Sequence, residues 1–138
     1  MFTITNDWLY FKNQKIQEIK NPKRKAGGNT NACKFLVYHY TASTTLKSAI
    51  NNFLNPNTEV SWHLTIDRDG TVNQLYDFRT VTWHAGKSAW TSHKRLYSML
   101  NSFAIGIEMV NAGPLVIENG AYKAWSGQVI PPSDVFID

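Results

Sequence analysis

At 138 residues, with 43% hydrophobic and 17% charged residues, the chain has the length of one globular domain and not the composition of a disordered tail. A formal net charge of +4 and a pI near 9.2 make it mildly basic, which suits an anionic polymer such as nucleic acid or bacterial cell wall without selecting either. The single cysteine, Cys33, excludes an internal disulfide and a cysteine-rich zinc motif.

The segment Met1 to Trp8 has no basic region followed by an apolar core, so no signal peptide is expected and synthesis is cytoplasmic. Action at the cell wall would then require release or export. No apolar run approaches the ~18 residues of a membrane span. Trp8 to Phe11 suits a short strand or an aromatic anchor. Residues 21–31, rich in Pro, Gly, Asn and Lys, read as a loop, and Lys20, Lys23, Arg24 and Lys25 as a solvated cluster. The apolar run Phe35-Leu36-Val37 predicts a strand over 34–40, covered on both faces, with Cys33 packed at its start. His39 falls at its C-terminal end, where open α/β sheets place ligands.

Leu46, Ala49, Ile50, Phe53 and Leu54 form the stripe of an amphipathic helix, with Ser43 or Thr44 as cap and Asn55-Pro56-Asn57 as stop. Val60 to Ile66 and Thr71 to Tyr76 read as a hairpin about Asp67-Arg68-Asp69-Gly70. Val81 to His84 suits a short strand, and residues 85–101 a long polar loop of functional character. Phe103 to Val110 is a strongly apolar, central strand. A hairpin about Asn119-Gly120 follows, and Pro131-Pro132 breaks the pattern.

Two features point to chemistry. His39, His63 and His84 could together make a three-histidine zinc site, while His39 by its position could instead be a histidine hydrogen-bonded at a strand edge. Glu108 interrupts an apolar strand, and an unpaired buried carboxylate is costly, so it must be paired, reach solvent or be kept for chemistry. Alternation puts Glu108 opposite Ile107 and Met109, and Gly106 signals a close approach by another backbone or a ligand.

Four blocks occur in order: Val37-Tyr38-His39-Tyr40-Thr41-Ala42, Val60 to Gly70 with Trp62-His63, Thr82-Trp83-His84-Ala85-Gly86, and Asn101 to Glu108. Together they resemble the zinc-dependent N-acetylmuramoyl-L-alanine amidases of the amidase-2 type, relatives of phage T7 lysozyme and of peptidoglycan recognition proteins. The resemblance implies an α/β fold with a mixed central β-sheet and flanking helices. It implies hydrolysis of the amide between N-acetylmuramic acid and L-alanine in peptidoglycan or muropeptides. His39 matches a zinc ligand, and Glu108 the glutamate that activates water. Tyr40, Trp62, His63, Trp83, His84, Ala85 and Gly86 match the substrate side, with neither His63 nor His84 a metal ligand. Trp62 stands where some relatives carry an assisting tyrosine, which shifts the base role further onto Glu108.

The family's other two zinc ligands and its C-terminal helix have no match before Asp138. The expectation is therefore residues 1–33 as an N-terminal extension and loop, and 34–138 as an amidase-2-like domain incomplete at its C-terminal side. The Zn2+ site would be incomplete, hydrolysis impaired, and an apolar sheet face exposed. A competing expectation is a non-catalytic peptidoglycan-binding module using a groove about Trp83, His84 and Trp90. A nucleic-acid partner rests on charge and aromatics alone and is not expected.

Overall fold

The computed structural model describes residues 1–21, 26–29 and 33–137; Lys23, Arg24 and Lys25 of the basic cluster lie outside these. Strands β1 (Phe2–Thr5), β2 (Trp8–Phe11) and β3 (Gln14–Lys15) form an antiparallel meander. Strand β4 (Gln17–Glu18) enters the central sheet, and β5 (Ala26–Asn29) occupies part of the stretch expected to be loop. Then come β6 (Phe35–Tyr40), helix α1 (Leu46–Leu54), the hairpin β7 (Leu64–Ile66) and β8 (Val72–Gln74), and β9 (Thr80–Thr82), which pairs with β5.

The expected 85–101 loop instead contains a hairpin, β10 (Ala89–Ser92) and β11 (Arg95–Ser98). A 3-10 turn (Leu100–Ser102) leads into β12 (Ala104–Met109). The meander β13 (Val116–Glu118), β14 (Ala121–Lys123) and β15 (Val129–Ile130) follows, then a second 3-10 turn at Pro132–Asp134.

The five-stranded central sheet has the order β4-β8-β7-β12-β6. Only β7 and β8 pair antiparallel; β4 with β8, β12 with β7 and β12 with β6 are parallel. The tight turn between β7 and β8 is made by Gly70 at φ +85°. In β12, Ile105 and Ile107 join Leu64 in a buried cluster, with Leu9, Ile66, Val72 and Phe78 packed on it. Helix α1 serves a second cluster, Phe53 with Trp62 and Leu75. Its cap is Thr45, one or two residues later than expected, whose hydroxyl accepts the Ser48 N–H at 3.2 Å.

Strand β6 departs from expectation. It is an edge strand, and alternate residues Leu36, Tyr38 and Tyr40 are 57%, 59% and 53% exposed. A run of apolar residues cannot tell a strand covered twice from one covered once, and here the apolar face stays open. Cys33 is likewise exposed, not packed. The N-terminal meander is tied to the sheet through Gln74, whose Oε1 accepts the Leu9 N–H at 2.7 Å and whose Nε2 donates to the Asp7 carbonyl at 3.2 Å. Among the described residues no helix is long and apolar enough to cross a membrane.

Candidate active site

The parallel register of β6 and β12 sets His39 directly beside Glu108 at the C-terminal ends of both strands. Thr65 of β7 is the neighbour of Glu108 on its other side. Alternation places Glu108 opposite the Ile105–Ile107 face, as expected, and toward a cavity closed by helix α1. This cavity of about 150 Å3 is lined by Tyr40, Thr41, Ala49, Asn52, Val60, Trp62, His84 and Glu108. A larger hollow of about 660 Å3 lies between the segment after β12 and the 131–137 tail, and its lining holds no histidine among the described residues.

His84 is the residue brought in from afar. Its Nδ1 lies 3.1 Å from His39 Nε2, with the two rings edge-to-face. Two features seat it. Asn101 Oδ1 accepts the backbone N–H groups of His84 and Ala85 at 3.1 and 2.8 Å. Gly106 leaves room for the ring: a Cβ there would meet His84 Cγ at 2.5 Å. The close approach that Gly106 signalled is thus an imidazole, not a backbone. Gly106→Ala is expected to push the ring away and cost about 1–3 kcal/mol. Thermal melts, together with loss of the His39–His84 contact in imidazole NMR shifts, check this.

Burial sets the charges. Glu108 is pushed up to about 7 by desolvation, and its buried Oε2 has no hydrogen-bond partner among the described residues. His84 is pushed down to about 4, first by burial and then by the neighbouring charges of His39 and His63; the Ala104 carbonyl opposes the shift. Its buried Nε2 makes no hydrogen bond of good geometry among the described residues. Burial also lowers His39.

His63 has a different role. It is 0% exposed, which corrects the expectation of contact with substrate. Its Nδ1 accepts the Gly106 N–H at 3.0 Å and the Thr82 hydroxyl at 3.1 Å, so its Nε2–H donates to the Thr80 carbonyl at 2.8 Å. Both ring nitrogens are committed, which removes His63 from any His39/His63/His84 ligand set. Burial lowers its pKa to about 4, against the opposing Thr80 carbonyl and Asp77. Trp62 is nearly buried as well; its Nε1–H donates to Thr65 at 2.6 Å while it faces the cavity. Trp83, Ala85 and Gly86 lie on the partly exposed segment flanking His84, and Tyr40 lines the cavity. Trp90 stands out on the β10–β11 hairpin, 59% exposed. The sequence reading gave Asn101, Thr80 and Thr82 no role, since nothing local marks an Asn or a Thr as the partner of a histidine 17 to 19 residues away.

A catalytic zinc expects three protein donors and an open position. Among the described residues no group of three His, Cys, Asp or Glu side chains converges in a way that could hold a metal. The donor set present, His39 facing His84, does not fit a complete three-ligand site.

The site thus sits on a mixed sheet with a helix packed against it, His39 beside Glu108 at adjacent strand ends. Comparison with known proteins gives the family. Residues 29–134 match the amidase-2 family, described as N-acetylmuramoyl-L-alanine amidase, and the chain belongs to that family. A mutant endolysin from Bacillus subtilis is similar in structure at 26% identity and TM-score 0.50, over 70% of this chain and 63% of that one. The N-acetylmuramyl-L-alanine amidase AmiD from E. coli, solved with anhydro-N-acetylmuramic acid-L-Ala-D-γ-Glu-L-Lys, is similar at 25% identity and TM-score 0.52, over 89% and 44%. A selenomethionine derivative of AmpD shares the fold, at 22% identity and TM-score 0.51 over 76% and 66%. The chain thus spans less than two thirds of the length of each. No curated protein sequence matches it.

Proposed function

We propose that this chain is a zinc-dependent hydrolase of the amide bond between N-acetylmuramic acid and L-alanine in peptidoglycan or muropeptides. The observation that carries the reading is Glu108: a partly buried carboxylate, pushed up to about 7 by burial, whose Oε2 has no hydrogen-bond partner among the described residues, beside His39 at the ends of two strands. A general base works best when its pKa lies near the working pH. Family membership and the substrate held by AmiD support the choice of bond.

In this reading Glu108 takes a proton from water as its oxygen adds to the amide carbonyl. The same carboxyl then gives that proton to the nitrogen as the C–N bond breaks. The products are a lactyl carboxylate and a peptide with a free L-alanine amine. Tyr40, Trp83, Ala85 and Gly86 contact the substrate, and Trp62 backs the cavity wall. His39 is assigned to zinc. The described residues do not complete the three-donor set, so hydrolysis by the 138-residue chain is slow.

The same shortfall favours a second reading, a peptidoglycan-binding module without catalysis. Incubation with purified peptidoglycan, with and without added zinc, separates the two. New L-alanine amino termini that increase with zinc support the hydrolase. Retention on the wall with no new termini and no bound zinc supports the module.

A further inference from the structure

We infer that Asn101 is a positioning residue for muropeptide binding: its one side-chain oxygen fixes the rim segment Trp83 to Gly86 relative to the strand that carries Glu108. The inference rests on the proposed reading in one respect, that this segment contacts the muropeptide. How the segment is held does not depend on that reading.

Asn101 Oδ1 accepts two consecutive backbone N–H groups, from His84 at 3.1 Å and from Ala85 at 2.8 Å. An amide oxygen has two lone pairs, so both are used here on adjacent peptide units. Strand β9 ends at Thr82, so neither N–H belongs to a sheet ladder that would hold the segment without Asn101. Trp83 is held separately by Ser61: its N–H donates to Ser61 Oγ at 2.9 Å, and its carbonyl accepts the Ser61 N–H at 3.2 Å. The chain then turns at Gly86, with φ +55°.

Asn101 itself has a firm seat. It lies in the 3-10 turn Leu100–Ser102, which leads into β12 at Ala104. The turn is closed by the Ser102 N–H on the Met99 carbonyl at 2.9 Å and the Phe103 N–H on the Leu100 carbonyl at 2.8 Å. The Phe103 carbonyl accepts the N–H groups of Lys34 and Phe35 at 2.8 and 3.1 Å, which ties the turn to β6 as well. The rim is therefore anchored to the two strands that carry His39 and Glu108. A side chain placed on such a rigid element holds its partner to a narrow range of positions.

The hairpin between rim and clamp closes on its own. The Met99 N–H donates to the Ser88 carbonyl at 2.7 Å and the Leu100 N–H to Ser88 Oγ at 3.3 Å. Losing the Asn101 side chain thus frees the rim and leaves the β10–β11 base zipped. Two partly buried N–H groups without an acceptor turn toward water, and the rim moves with them. A displacement of about 1 Å in a positioning group can cost about 100-fold. The loss falls on affinity, because β12 keeps its own pairing with β6 and β7 and so keeps Glu108 in place.

Calorimetric titration of the full 138-residue chain with a purified N-acetylmuramyl-L-alanyl muropeptide tests this. Asn101→Ala should weaken binding at least about tenfold and raise KM in parallel when zinc is added, with kcat within about threefold of the natural chain. Asn101→Asp keeps an acceptor oxygen in place and should recover most of the affinity. Gln74→Ala loosens the N-terminal meander on the Ile105–Ile107 face; it should melt lower yet bind as the natural chain does. Hydrogen exchange in the unaltered chain removes dependence on variant folding: the His84 and Ala85 amides, though outside any strand, should exchange slowly. Fast exchange at both, unchanged affinity in Asn101→Ala, no recovery in Asn101→Asp, or an equal loss in Gln74→Ala would overturn the inference. Asn101-dependent binding without amide cleavage would keep the inference and remove the hydrolase reading. Cleavage with KM indifferent to Asn101 would do the reverse, and a natural chain that neither binds nor cleaves would remove both.

Discussion

Glu108→Gln is expected to lower muropeptide hydrolysis by about 100- to 10,000-fold while making the zinc-free protein more stable above pH 7. Gln fills the same space but neither accepts a proton from water nor returns it to the leaving nitrogen. The stability gain follows from burial. Burial pushes the folded carboxyl up to about 7 from its ordinary 4.5. Between these values the folded protein keeps a proton that the unfolded chain has lost, so stability falls as pH rises through the window. Gln has no such decline. The difference between variant and natural chain should be near zero at pH 4.5 and reach about 1–2 kcal/mol above pH 7, allowing for solvent screening of a partly exposed group. Melting curves at pH 5 and pH 8 measure it. Loss of activity together with a gain in stability is the mark of a group kept for chemistry at a structural cost. Equal melting at both pH values would mean that Glu108 is paired or solvated in solution.

His63→Ala should have the largest effect on folding, about 4 kcal/mol or more. The change strands the Gly106 N–H, the Thr82 hydroxyl and the Thr80 carbonyl, all now bonded to the ring. Each buried polar group left unpaired costs about 1–3 kcal/mol, and the lost ring leaves a cavity. Against a total stability of about 5–15 kcal/mol, most of the protein would be lost to unfolding on mild heating. His63→Gln, which offers both an acceptor and a donor, should lose markedly less. A pH signature accompanies this. Folded His63 titrates at about 4, the unfolded chain at 6.5. As pH falls between these values the unfolded chain gains a proton that folded His63 refuses, so stability is lost. Urea melts from pH 7 to pH 4 should show that loss shrinking in His63→Gln. A His63→Ala protein that melts like the natural chain would show that the network does not hold β12 against β9.

Much of this architecture was legible because local chemistry and tertiary context agree. The helix stripe from Leu46 to Leu54, the Asp-Gly turn between β7 and β8, and the Asn119-Gly120 turn each carry their own signal. The β10–β11 hairpin was missed because its turn is His93-Lys94, at φ 49° and 64°, where Asn or Gly would have announced it. Ala26–Asn29 reads as loop by composition, yet Gly27 packs on Val81 of β9. Of the site, Glu108 was visible as a charge in an apolar strand and Gly106 as a gap. What filled that gap was not, since His84 reaches His39 across 45 residues by way of Asn101 and Gly106. Nor does any local pattern separate His63, locked by three hydrogen-bonding groups, from a histidine free to bind.

The most direct test is mass spectrometry of muropeptides digested for long times by the chain with zinc, with Glu108→Gln in parallel. Products carrying a free lactyl carboxylate, with matching peptides that begin at L-alanine, should accumulate in the natural chain and be absent from the variant. Intact muropeptides with both proteins, or cleavage at any other bond, would contradict the assignment of Glu108 to amide hydrolysis at this site.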